Sequence, residues 1–389
     1  MNYGGIKVLM ISSDRNILVL GSAVSERMKE YGALVEELHI VLLSDVRHGL
    51  KDKQLSNNVW VYTTNSSLNF LRPFDAFRLG KKVVFDSRFV RGQSIVTTQD
   101  PFECGWVGLR VKKKWRLPLE VQLHTDPFSP YFSGLLNQVR KIIARRVLRN
   151  ADGVRVVTLG LKSKISGFTS ANISVLPIYV DKKRIEEGHI AFDLHARYGW
   201  RFILLAVSRL APEKNLSLTL NVLALVRERF PDTGLVIVGS GPEEGRLKAL
   251  AQKLKLEGAV EFVGWQDDLT SFYKTANAFI QTSFFEGYGL SLVEAGLSGL
   301  PIITTSVGIA QELEHGKDAF IYSLDRARGK PVGNPELFAQ GVVDLIENNY
   351  KRENLRTNLK HTLGDKLLSK VDYMAQMKHG WENIVTSIK

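Results

Sequence analysis

Ala278–Gln281 is an apolar, strand-like run that leads through Thr282-Ser283-Phe284-Phe285-Glu286-Gly287-Tyr288-Gly289 into a helical pattern, Leu290–Leu297. A strand that turns through glycines into a helix is a β–α unit of a parallel sheet. Such a turn exposes backbone N–H groups at the positive end of the helix dipole, which is a place for phosphate. Glu286 stands in the turn and Glu294 inside the helix, with seven residues between them. Carboxylates beside a phosphate site are suited to the hydroxyls of a ribose or a hexose. The glycine turn alone describes any doubly wound sheet; the glutamates single this one out.

At 389 residues the chain exceeds one compact core and suits two domains. No apolar run is long enough to span a bilayer. The N-terminus enters a strand at once, with Ser12, Ser13 and Asp14 behind it, so no signal peptide is expected. The single cysteine, Cys104, excludes an internal disulfide framework and a cysteine-built zinc site, and a cytoplasmic location follows as the default. The net charge of +12 is lopsided. Residues 1–180 hold 26 Lys and Arg against 14 Asp and Glu, and the remainder holds 26 of each. The first half is therefore expected to meet an anionic partner: a membrane surface, a nucleic acid or an acidic substrate.

In the first half, strands are expected at Ile6–Ser12, Glu37–Leu43, Val59–Thr63, Lys82–Phe85, Ser94–Thr98, Glu120–Leu123 and Gly153–Thr158, with helices between. Leu135, Leu136, Val139, Ile142, Ile143 and Val147 keep helical spacing, with Arg140, Lys141, Arg145, Arg146 and Arg149 between them; a core-packed helix with a solvated basic face is the expectation, and a membrane-surface helix the alternative. The charged stretch Asp181–Tyr198 is expected to be a linker. The second half alternates again, from Phe202–Val207 to Ala319–Tyr322, and ends in two helical regions, Asn334–Asn349 and Met374–Ser387. His124 stands at the carboxyl end of a strand, where open α/β sheets bind ligands. Arg209 and Lys214, five residues apart after a strand, pair a forked guanidinium with a point-charge ammonium, which suits a diphosphate.

Read in order, Ser208-Arg209-Leu210-Ala211-Pro212-Glu213-Lys214-Asn215, then Gly239-Ser240-Gly241-Pro242, then Phe262-Val263-Gly264, then Glu286–Glu294, the second half resembles the retaining group 1 glycosyltransferases of the GT-B fold. That family's signature is Glu-x7-Glu, and Tyr288 replaces its usual Phe. The resemblance implies an α/β fold of GT-B type: two doubly wound, Rossmann-like domains facing across a cleft. It places an acceptor-binding domain at 1–181, a nucleotide-sugar domain at 182–365, and a helix at 366–389 crossing back to the first. It implies transfer of a sugar from a nucleoside diphosphate sugar to a hydroxyl, with retention. The catalytic set would be His124, Glu286, Arg209 and Lys214. Arg209, Lys214, Gly241, Gly287, Tyr288, Gly289, Leu290 and Glu294 would bind the donor, with Glu294 on the ribose and Glu286 on the sugar.

Asp126 and Asp100 are the acceptor-side candidates. No metal and no cofactor is expected, since the cations and the helix terminus replace a divalent ion. The implied partners are the nucleotide sugar, a glycan or lipid-linked acceptor and an anionic membrane surface on the cytoplasmic side. Two departures stand out. Ser12–Gly21 replaces the family's Gly-Gly loop, and Ile178-Tyr179 replaces an Asn-Gly. Two other classes stay open: a GT-B relative that epimerises or cleaves a nucleotide sugar, and a basic nucleic-acid-binding protein. No helix-turn-helix, RNA-binding or zinc pattern supports the latter.

Overall fold

The computed structural model describes residues 5–130, 132, 134–323 and 334–387. The chain divides into two units, Met1–Pro177 with Ser369–Lys389, and Ile178–Leu368.

In the first unit the order is β1 (Lys7–Ser12), α1 (Ala23–Gly32), β2 (Glu37–Leu42), β3 (Lys53–Ser56), β4 (Val59–Thr63), α2 (Arg72–Asp86), β5 (Ser94–Thr98), α3 (Glu103–Trp115), β6 (Leu119–Leu123), α4 (Leu135–Arg149), β7 (Gly153–Val156), α5 (Leu159–Ile165) and β8 (Asn172–Val175). The strands form one sheet in the order β3-β4-β2-β1-β5-β6-β7-β8. Every pairing is parallel except β3 with β4. The central strands are buried on both faces, which is why they read as near-continuous apolar runs. The chain order reverses between β1 and β5, the switch point of this sheet. The C-terminal helix Lys370–Ser387 belongs to this unit. It buries Tyr373, Met377, Trp381 and Val385 at four-residue spacing. Trp381 Nε1 donates to the buried Glu120 at 3.0 Å.

Lys82–Phe85 is helical, not a strand. Its β-branched residues favour a strand locally, but Pro73 opens a helix that buries Ala76, Gly80, Val83 and Val84 along one face. Tertiary packing overrides the local preference there.

The second unit runs α6 (Lys182–Glu187), α7 (Leu194–Tyr198), β9 (Phe202–Val207), α8 (Leu216–Arg229), β10 (Thr233–Val238), α9 (Glu244–Lys253), β11 (Val260–Gly264), α10 (Thr270–Thr275), β12 (Ala278–Gln281), α11 (Leu290–Leu297), β13 (Ile302–Thr305), β14 (Phe320–Tyr322), α12 (Pro335–Glu347) and α13 (Asn349–Lys366). Its sheet is wholly parallel, in the order β11-β10-β9-β12-β13-β14, and reverses between β9 and β12. The stretch Asp181–Tyr198 is not an open linker. Asp181 and Asp193 cap two short helices, and Lys274 Nζ fastens the chain between them by donating to the carbonyls of Glu186 and Gly188, both at 2.7 Å. Helix α13 is absent from the sequence expectation because it is charged almost all round. Leu355, Leu359 and Leu363 form its whole buried stripe, each contributing about 1.5–3 kcal/mol of burial.

Candidate functional site

The second unit places its candidate residues at the carboxyl ends of adjacent strands, on either side of the switch point. Lys214 follows β9 and Glu286 follows β12. They meet there: Lys214 Nζ donates to both Glu286 oxygens, at 2.8 and 2.7 Å. Both side chains are largely buried, 15% and 11% exposed. Ser283 Oγ donates to the same carboxylate at 2.7 Å.

The loops that hold this pair are tied by backbone bonds. Asn215 takes a left-handed conformation (φ 50°) and its side-chain amide donates to the Thr282 carbonyl at 3.2 Å. Phe284 N–H donates to the Glu213 carbonyl at 2.9 Å. Helix α11 starts beside the pair at Gly289 (φ 100°), a conformation that favours glycine, and no side chain caps this end. Its first N–H groups are left to water or to a ligand. The turn before it is clamped by Gly308 (φ 56°). A Cβ at Gly308 would lie 2.3 Å from the Tyr288 carbonyl oxygen and 3.0 Å from Glu286 Cβ, and Ile309 N–H donates to that carbonyl at 2.7 Å.

The other candidates are placed differently. Arg209 is 70% exposed and forms an ion pair within its own loop with Glu213 at 2.7 Å. Glu294 accepts from the Tyr273 hydroxyl at 2.9 Å. Burial raises the Glu294 carboxyl above its ordinary range, opposed by that hydrogen bond and by Arg184. Burial, followed by the nearby Glu294 charge, raises the Tyr273 hydroxyl well above its own. Tyr288 is 3% exposed, so its ring packs in the core and only its backbone reaches the turn. Gly241 sits where a Cβ would lie 2.4 Å from the Leu210 carbonyl oxygen. Its glycine thus serves the close approach of two loops, with Leu210 N–H donating to the Ser240 carbonyl at 2.9 Å. Gly287 is partly exposed and Leu290 exposed.

In the first unit, His124 follows β6 and is exposed. Crowding by neighbouring atoms, then the positive charges of Arg155 and Arg27, lowers its imidazole pKa. Water reaches the ring, and the neutral form is favoured. Asp126 accepts from Phe128 N–H at 2.9 Å and lies 3.6 Å from Lys164. Asp100 has a structural task. Its Oδ1 accepts from the N–H groups of Phe102 at 2.7 Å and Cys104 at 3.3 Å, closing the start of α3.

Ser283, Tyr273 and Gly308 escaped the sequence reading. Ser283 and Tyr273 are ordinary residue types outside any spacing, while Gly308, just after a strand, was the one visible signal. Among the described residues, no group of three or more His, Cys, Asp or Glu side chains is placed to hold a metal ion. No described helix is long and apolar enough to cross a membrane.

Two Rossmann-like units of this topology define a GT-B fold. The Anabaena protein HepE, solved in complex with UDP, matches with a TM-score of 0.72 at 20% identity, over 96% of this chain and 99% of that one. Residues 192–362 match the family described as glycosyl transferases group 1. An uncharacterized glycosyltransferase of Haemophilus influenzae is 33% identical over 145 residues, 35% of this chain and 41% of that protein. The chain thus spans less than half of that relative's length. The alpha-monoglucosyldiacylglycerol synthase of Acholeplasma laidlawii is 26% identical over 291 residues, 67% of this chain and 72% of that protein.

Proposed function

We propose that the chain transfers a sugar from a nucleoside diphosphate sugar to a hydroxyl acceptor, with retention at the anomeric carbon. The observation that carries this reading is the Lys214–Glu286 pair, fixed at 2.7 and 2.8 Å across the switch point beside the uncapped start of α11. One ammonium and a helix N-terminus favour the negative charge that grows on a departing diphosphate. Glu286, held by Lys214 and Ser283, keeps one lone pair, on Oε2, for a sugar hydroxyl. In this reading Arg209 closes on the diphosphate, Glu294 accepts from the ribose, and His124, neutral, offers a ring nitrogen to the sugar. The bond from C1 to the diphosphate breaks and the bond to the acceptor oxygen forms on the same face, while the acceptor's proton passes to the leaving phosphate oxygen.

UDP in the Anabaena structure and the glycolipid product in the Acholeplasma relative's name support a nucleotide sugar and a lipid-linked or glycan acceptor. Thermal shift with UDP-, GDP- and ADP-sugars tests the donor. A ligand at a hundred times its Kd stabilises by about 2.7 kcal/mol. Nuclear magnetic resonance of the product anomer, with and without an alcohol acceptor, tests the reaction. A shift with none of the nucleotide sugars refutes the donor site. Sugar release or isomerisation that ignores the acceptor refutes transfer.

A further inference from the structure

The second unit holds a cavity of about 480 Å³, a volume within the range of small-ligand sites. It is lined by the turn after β9, by the first turns of α8, by the start of α9, by Phe284 after β12 and by Pro335 at the start of α12. The cavity shares a wall with the Lys214–Glu286 pair. Asn215 Nδ2 donates to the Thr282 carbonyl at 3.2 Å, and Thr282 Oγ1 donates to the Asn215 carbonyl at 3.0 Å. Phe284 N–H, bonded to the Glu213 carbonyl, joins the same two stretches a second time. Asn215 and Phe284 line the cavity, whereas Lys214 and Glu286, their neighbours in sequence, do not. The two sites therefore use opposite sides of one tied pair of loops.

The lining narrows the chemistry of a ligand. Its charged residues are Arg246 and Glu243, which pair with each other at 2.5 Å. The lining thus carries no net charge, which suits a neutral ligand better than a phosphate or a nucleotide. The other polar groups are two amides and a hydroxyl, those of Asn215, Asn221 and Ser217. Asn221 Nδ2 donates back to the Ser217 carbonyl at 2.7 Å, which orients the amide and leaves Oδ1 as an acceptor. Amide, carboxylate and guanidinium groups side by side match the adjacent donors and acceptors of neighbouring hydroxyls. Phe284 and Pro212 add ring faces on which the C–H side of a sugar can lie.

We propose that this cavity binds a neutral saccharide, at a place separate from the Lys214–Glu286 centre. Hydroxyls of the sugar exchange hydrogen bonds with Asn215, Asn221 and the Arg246–Glu243 pair, and its ring rests on Phe284. The exposed guanidinium of Arg246 turns to the ligand at little cost, because a surface pair is weakly held. Binding does not depend on the glycosyl transfer reading. Under that reading the occupant is a sugar unit of the glycan other than the one that gains the new bond.

Saturation-transfer nuclear magnetic resonance of the full chain tests it, with glucose, galactose and N-acetylglucosamine at millimolar concentration and glucose 6-phosphate as the charged control. At least one neutral sugar should give a signal, and glucose 6-phosphate a weaker one than glucose. Asn221→Leu with Arg246→Met should weaken the binding by roughly tenfold or more. Ser217→Trp, which places an indole in the cavity, should abolish it. These three positions are not buried, and circular dichroism checks that the variants fold. Glu286→Gln, which alters the transfer site, should leave the sugar signal in place even where transfer is lost. Four results overturn the proposal: no signal from any neutral sugar, a signal that both cavity variants keep in full, a signal that Glu286→Gln abolishes, or tighter binding of glucose 6-phosphate than of glucose.

Discussion

Replacing Lys214 by Met removes the ammonium from a carboxylate that is 11% exposed and contacted at 2.7 and 2.8 Å. Breaking a fully buried pair from one side costs about 3–5 kcal/mol, because the other charge is left behind. This pair keeps some water access, and Glu286 keeps its bond from Ser283, so about 2–3 kcal/mol is the expected loss. For a unit the size of Ile178–Leu368 that corresponds to a melting temperature lower by roughly 5–10 °C. Adding Glu286→Gln removes the stranded charge, so the double variant should recover most of that loss, with a coupling of about 2 kcal/mol. Turnover should not recover: losing one preorganised charge contact costs about a hundredfold, and neither variant restores the ammonium. The assay is a double-mutant cycle read twice, by calorimetric unfolding and by sugar transfer. A stability coupling below about 0.5 kcal/mol, which is the additivity of independent sites, or near-parental turnover in Lys214→Met, refutes the idea that the pair is the fixed centre of the site.

Burial raises the Glu294 carboxyl, so the folded chain binds its proton more tightly than the unfolded chain does, and stability falls as pH rises through that window. Glu294→Gln should therefore melt higher than the parent at neutral pH, with the gain vanishing below about pH 4, while calorimetry shows weaker nucleotide binding. Gly308→Ala should lose about 1–3 kcal/mol in urea unfolding and most of its turnover, since the new Cβ meets the Tyr288 carbonyl at 2.3 Å. Arg209→Ala should raise KM severalfold with the melting temperature unchanged, because its exposed pair with Glu213 is worth about 0–1 kcal/mol; a melting temperature several degrees lower would give Arg209 a structural task instead.

The parallel sheets were legible because their central strands are buried on both faces and read as apolar runs. The turn at Glu286–Gly289 was legible because a left-handed start of a helix selects glycine. What failed was anything decided by a neighbour distant in sequence. Val83-Val84-Phe85 looks like a strand until Pro73, ten residues earlier, and the sheet behind it make it helical. Leu135–Ile142 looks like the buried face of a helix, and periodicity alone cannot show that its first two turns extend past the core. Tyr288 sits inside the motif, yet its ring packs in the core. Partners such as Tyr273 and Ser283 carry no spacing at all.

The two halves of the chain differ in legibility for a chemical reason. Around Lys214 and Glu286 the geometry is set by main chain against main chain. Gly239 and Gly241 pass the Ser208–Leu210 loop where a Cβ would collide, Phe284 bonds to Glu213, and Gly308 lies against the Tyr288 carbonyl. Close backbone approach admits few residue types, so its requirements are written in glycines and in their spacing to the charged residues. A diphosphate beside a ribose makes the same demands whichever sugar it carries, and the family match covers residues 192–362, where those loops lie. The first unit carries no such constraint among its candidates. His124 is exposed and Asp126 half-buried, and a surface that meets a variable acceptor can be built from many sequences. Its signal is therefore aggregate: an excess of positive charge in residues 1–180.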